Sequence, residues 1–144
     1  GRGGGGVGGC AGGAGGGLEG GAEGWRGGGE DDSAMMARWL ADRLTGALAE
    51  AVHAFVRRQM WGYEQGDPLP PGRIVRGEYR GRRMAFGYPA SPDHSLKREV
   101  FDLLAVEITT GMRLTENWML SPGEALCGLF FADAASFSVR RLDA

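Results

Sequence analysis

The sequence predicts an α+β fold, and three features predict it. A run with strong helical spacing fills residues 31–60, and a second helical run fills roughly 95–109. From residue 113 onward the pattern changes to short β-capable runs. Helices segregated from a run of strands indicate α+β rather than alternating α/β. The expected architecture is a long N-terminal helix and a second helix packed on a small twisted antiparallel sheet.

Ahead of the first helix stands a glycine tract. Of 28 glycines in the 144 residues, 18 fall within the first 30 positions. Glycine at this density loses the most backbone entropy on ordering and offers no side chain to pack. Residues 1–32 are therefore expected to be a disordered Gly-rich segment, with the domain at 33–144. Arg-Gly segments bind RNA, but here arginine occurs only at Arg2 and Arg26 and the sole aromatic is Trp25.

In the first helix, Met36, Leu40, Leu44, Leu48, Ala51, Val52 and Phe55 recur at helical spacing and mark the expected buried face. Asp31, Asp32 and Ser33 suit its N-terminus, and Arg57 and Arg58 suit the last turn. His53 reads as a surface or rim residue. Asp67-Pro68-Leu69-Pro70-Pro71-Gly72 excludes a helix through that point. Residues 73–80 fit a short helix or an extended piece. Residues 83–94, with Gly87, Pro89 and Pro92, read as an extended, irregular path. Ser91 or Asp93 is placed to cap the next helix, whose buried face is expected at Leu96, Val100, Leu103, Leu104 and Val106 or Glu107. Gly111 is a suitable stop. RLTENWML, ALCGLFF and SFSVRRL then read as three antiparallel strands in a meander.

Composition excludes several functions. A net charge of −2 argues against a nucleic-acid partner, which needs a dense cationic surface. No apolar run approaches the roughly 18 residues of a membrane span, and no secretory signal is visible, so cytoplasm is the expected location. The two cysteines, Cys10 and Cys127, make neither a disulfide framework nor a metal-ligand spacing. His53 and His94 lack ligand neighbours at metal-site spacing. No Walker loop or nucleophile elbow is present.

The unusual segment is Arg83-Met84-Ala85-Phe86-Gly87-Tyr88-Pro89-Ala90-Ser91-Pro92-Asp93-His94. A glycine between bulky residues admits a ligand close to the backbone, and prolines hold that backbone open. Arg83 offers a fork of donors suited to a carboxylate. The same residues also fit a proline-stiffened connector with a packed Tyr and a surface Arg.

Arg83-x-x-x-Gly87-Tyr88-Pro89-Ala90-x-Pro92-Asp93-His94 resembles the S-adenosylmethionine-binding signature of the activation domain of cobalamin-dependent methionine synthase. Ala41-Asp42-Arg43-Leu44, Trp61-Gly62-Tyr63, the segment Thr110 to Glu116 and Ser121-Pro122-Gly123 resemble its flanks in the same order. The similarity runs from about Met35 to the chain end. It implies an α+β module with a twisted antiparallel sheet that binds S-adenosylmethionine. Such a module restores methylcobalamin from inactive cob(II)alamin during methionine biosynthesis. The electron comes from flavodoxin or a similar reductase, and the cobalamin is held by a partner domain. By the same resemblance Arg83 would contact the methionine carboxylate end. Gly87, Tyr88 and Pro89 would line the pocket, with Tyr88 nearest the corrin. A late pair of family aromatics falls at Ser136 and Phe137, where Phe137 keeps an apolar wall and Ser136 cannot stack.

Departures from the family pattern accompany the match. No counterpart of the family's upstream ligand-binding Asp is visible, Gly77 stands where the family tends to have Glu, and Ala132-Asp133-Ala134-Ala135 replaces a His-Pro loop. The resemblance is thus to the C-terminal part of the domain, truncated at both ends. These departures keep a second reading open, a diverged non-catalytic remnant acting at most as a binding module.

Overall fold

In the computed structural model, residues 6–18, 21, 24 and 31–133 are described. Among them the elements run β1 (Val7–Gly13), α1 (Asp31–Phe55), α2 (Pro71–Val75), β2 (Arg82–Ala85), α3 (Lys97–Leu103), α4 (Val106–Thr110), β3 (Arg113–Leu114), β4 (Leu120–Ser121) and β5 (Ala125–Phe131). The α+β class holds.

The glycine tract departs from expectation. Val7–Gly13 forms β1, antiparallel to β5 with Val7 opposite Phe131 and Gly13 opposite Ala125. Strand β2 pairs with the other edge of β5, from Arg82 opposite Phe131 to Ala85 opposite Gly128. The order is β1-β5-β2, drawn from three distant parts of the chain instead of a local meander. Strands β3 and β4 make a separate two-stranded ribbon. The run SFSVRRL lies outside the described residues. Glycine serves the sheet through close approach: a Cβ on Gly128 would stand 2.4 Å from the Met84 carbonyl oxygen.

The sheet is covered on both faces. On one, Ala11, Met84, Cys127 and Leu129 pack with Phe86, Val100, Phe101, Val106 and Met112 into the core beneath α3 and α4. On the other lies α1. Cys10 and Cys127 belong to opposite faces, because Cys127 faces Ala11 in the register and Cys10 faces Gly128.

Helix α1 corrects the expected face. Its buried residues are Ala34, Ala41, Thr45 and His53, while Met36, Leu40, Leu44, Leu48 and Phe55 are exposed. The physical reason is the glycine strand beneath it. A surface without side chains is met most closely by small ones, and Thr45 bonds it directly. The Thr45 hydroxyl accepts from Ala14 N at 3.1 Å and donates to the Glu124 carbonyl at 3.0 Å. The helix ends in a widened π turn over Val56–Met60, closed by Trp61 N donating to Val56 O at 2.8 Å.

The second helical run is broken in two. A 3-10 turn over His94–Leu96 opens it, with Asp93 accepting from Ser95 N at 2.8 Å as the cap. Ala105 then adopts φ 49° and separates α3 from α4. Within α3 Val100 and Phe101 are buried and Leu103, on another side of the same helix, is 80% exposed; after the break Val106 is buried. Gly111, at φ 75°, stops α4 as expected. Gly77, at φ 66° just past α2, fills a left-handed position that glycine tolerates best.

Candidate functional site

Strand β2 carries the signature segment to the end of the sheet, and the turn after it presents Gly87, Tyr88 and Pro89. Gly87 N donates to Ser91 O at 2.7 Å and Ser91 N to Tyr88 O at 2.8 Å, which closes the turn. Gly87 has φ 92°, and a Cβ there would stand 2.2 Å from His94 Cε1. Only glycine fits under the imidazole. Tyr88 is 65% exposed, leaving its ring face and hydroxyl free to meet a large ligand or another domain.

Behind the turn lies a hollow of about 460 Å³ lined by Phe86, Gly87, Tyr88, His94, Lys97 and Cys127, among others. Its size suits a small-molecule site, typically about 300–1,000 Å³. Lys97 is buried. Its Nζ donates to the Trp118 carbonyl at 2.9 Å and meets His94 Nδ1, so it ties the turn of the β3–β4 ribbon to the signature. Burial holds its ammonium pKa below the ordinary lysine value. Burial likewise pushes the Cys127 thiol up to about 12, helped by Cys10, which removes it as a nucleophile.

Arg83 projects from the other face of the sheet, toward α1. It pairs with Glu50, which also accepts from Tyr79 OH at 3.2 Å. Arg83 lines a smaller hollow of about 90 Å³ that shares Ala85, Leu126 and Cys127 with the larger one. The structure thus brings Gly87 and Tyr88 together in one hollow, puts Arg83 across the sheet edge from them, and leaves Pro89 exposed on the turn. Ser136 and Phe137 lie outside the described residues.

Sequence reasoning missed a buried cluster next to Arg83. His53 is fully buried, stacked on Phe130 with ring centroids 4.9 Å apart and edge-on to Tyr79 at 5.1 Å. Neither ring nitrogen has a hydrogen-bond partner among the described residues. Burial, with the Arg57 and Arg83 charges behind it, lowers its pKa from 6.5 to about 3. Arg57 is buried as well, bonded to Glu64 at 2.5 Å and lying 3.9 Å from the centre of the Tyr79 ring. The signal was an i, i+4 pair of polar residues continuing the Ala34–Ala41–Thr45 side of the helix, overshadowed by the leucine stripe.

The model of the vitamin B12 dependent methionine synthase activation domain matches residues 4–144. The chain belongs to this family. A crystal structure of the MetH reactivation domain bound to AdoHcy superposes with a TM-score of 0.85 at 35% identity, over 96% of this chain. The match spans 41% of that chain's length. The family match starts inside the glycine tract, in keeping with β1 as part of the activation-domain fold. No helix among the described residues is long and apolar enough to cross a membrane.

Proposed function

We propose that this activation domain binds S-adenosylmethionine at the turn after β2 and supports reductive methylation of cob(II)alamin held by a partner domain, with flavodoxin or a similar reductase as electron donor. The observation that carries the reading is AdoHcy bound to the similar MetH reactivation domain. AdoHcy is what remains of S-adenosylmethionine once its methyl is transferred. When bound, S-adenosylmethionine supplies a methyl already activated on a sulfonium. The chain therefore needs no acid or base, and its residues hold, orient and exclude water. Gly87 admits the ligand to the backbone and Tyr88 walls it on the exposed side; Arg83 receives its carboxylate only from a ligand that reaches past Ala85 around the sheet edge and displaces Glu50.

The Arg83–Glu50 pair favours the second reading, a remnant whose donor fork is already taken. Calorimetric titration with S-adenosylmethionine separates the two. The wild-type chain should bind saturably, and Arg83→Ala should weaken binding by about 1.5–3 kcal/mol, the range for a charge-assisted contact. If Glu50 competes for Arg83, Glu50→Gln should tighten binding. A cooperatively folded wild type that binds neither S-adenosylmethionine nor AdoHcy would establish the remnant.

A further inference from the structure

Lysine occurs once in the 144 residues, at position 97, and every other Lys/Arg position is an arginine. That single lysine is only 5% exposed. Among the described residues no carboxylate pairs with it. Its partners are two uncharged acceptors from different elements, His94 Nδ1 and the Trp118 carbonyl at 2.9 Å. Taking an ammonium out of water without a counter-ion is costly. A helix that needed only to cover the core would have an apolar residue here, as α3 has at Val100 and Phe101.

The two acceptors belong to two lips of the hollow behind Gly87. On one lip the His94 ring lies over Gly87, where a Cβ would stand 2.4 Å from Nε2. On the other, Trp118 adopts φ 60°, an uncommon conformation for a bulky residue. Trp118 N donates to Thr115 O and Thr115 N to Met119 O, each at 2.9 Å, and these bonds hold that turn. Met119 lines the same hollow as Tyr88.

We infer that Lys97 is a positioning residue for the ligand: its ammonium is a strut that sets the distance between the Gly87–Tyr88 turn and the Trp118–Met119 turn, and so the width of the hollow between them. The inference rests on the reading that S-adenosylmethionine sits at the turn after β2, and it adds the residue that fixes the shape of that site. An ammonium has only donors, so His94 Nδ1 must accept, and a neutral His94 then carries its proton on Nε2. The imidazole is thereby fixed in tautomer and in orientation over Gly87. Lysine suits this post better than arginine. A compact donor on a thin stem reaches two acceptors from separate elements, whereas a planar fork matches paired acceptors lying in one plane.

The test uses Lys97→Met, which keeps an unbranched stem and removes the donors. The variant should stay folded, with its near-ultraviolet circular dichroism retained, because an apolar side chain replaces a buried charge. Its affinity for S-adenosylmethionine, read by calorimetry, should fall about tenfold or more, the effect of a loosened site. Amide exchange should quicken at Gly87 and Ser91 and stay unchanged within β5. Only His53 and His94 contribute to the long-range proton–nitrogen spectrum of the imidazoles. In that spectrum His94 should be the Nε2–H tautomer in the parent chain and an exchanging mixture in Lys97→Met. His94→Asn, which offers Lys97 an amide oxygen near the place of Nδ1, should bind more tightly than His94→Leu. Lys97→Met combined with His94→Leu should bind no more weakly than the weaker single variant, because the two side chains act as one unit. A parent chain with its His94 proton on Nδ1 would overturn the inference whatever the variants do. So would a folded Lys97→Met with parental affinity and parental exchange at Gly87, which would leave Lys97 a stabiliser of the helix start. The tautomer and the exchange rates need no ligand. If the parent binds no S-adenosylmethionine while both still respond to Lys97→Met, the functional reading has failed and the strut stands.

Discussion

Two residues carry most of the local constraint, and each yields a measurable consequence. Gly87 combines a left-handed φ with an imidazole over the place of its missing Cβ. Gly87→Ala should therefore cost about 1–3 kcal/mol in backbone strain alone. It should also displace His94 and weaken S-adenosylmethionine binding. An unchanged unfolding midpoint with unchanged affinity would show that the turn relaxes freely. His53 acts through protonation. Its native pKa of about 3 lies well below its unfolded value of 6.5. Between those values the unfolded chain binds a proton that the native state refuses. Stability is therefore complete above pH 6.5 and is lost as pH falls toward 3. The slope approaches about 1.4 kcal/mol per pH unit. Urea unfolding between pH 6.5 and 5, above most carboxylate titration, should show this slope in the wild type and a flatter one in His53→Phe. Parallel slopes would mean that His53 is protonated in the native state.

At the scale of elements, legibility followed how local each cause was. Helix α1, the proline-bound loop, the Asp93 cap and the Gly111 stop are set by neighbouring residues, and the sequence revealed them. The side that α1 buries depends on what lies under it, and that is β5 together with β1, strands from opposite ends of the described chain. The apolar period of Met36, Leu40, Leu44 and Leu48 therefore identified the helix correctly and its buried face wrongly. In the second helical run α3 turns Val100 and Phe101 inward and Leu103 outward, and one left-handed residue, Ala105, resets the phase from Val106 onward. Leu103→Ala, at an exposed position, should change stability by no more than about 0.5 kcal/mol. Phe101→Ala, in the core, should cost about 3–5 kcal/mol. Chemical denaturation of the two variants side by side would test the phase directly. The irregular turn that carries Gly87 and Tyr88 was legible because its glycine and prolines are contiguous in sequence. The His53–Arg57–Tyr79 cluster was not, because it assembles from α1 and the segment before β2.

For the molecule as a whole, the decisive element is the one that composition argued against. A glycine tract offers no side chains, yet β1 sits at one edge of the sheet, with α1 on one of its faces and α3 on the other. A Cβ on Gly9 would meet Val100 at 3.5 Å and one on Gly12 would meet Leu48 at 3.7 Å, both ordinary contacts, whereas one on Gly13 would stand 2.7 Å from the Glu124 carbonyl oxygen, so close approach demands glycine only at the strand's end. Removing β1 would strip one side of the ladder from β5 and uncover the backbone groups of that strand. It would also unseat Thr45 from Ala14 and Glu124. Lost together, several ladder bonds at about 1 kcal/mol each rival the 5–15 kcal/mol that a domain of ordinary stability has in total. A chain beginning at Gly15 should therefore lose its cooperative thermal transition, followed by near-ultraviolet circular dichroism. If the shortened chain instead melts at the temperature of the parent, β1 contributes nothing to the fold. The glycine tract would then be the linker its composition suggested.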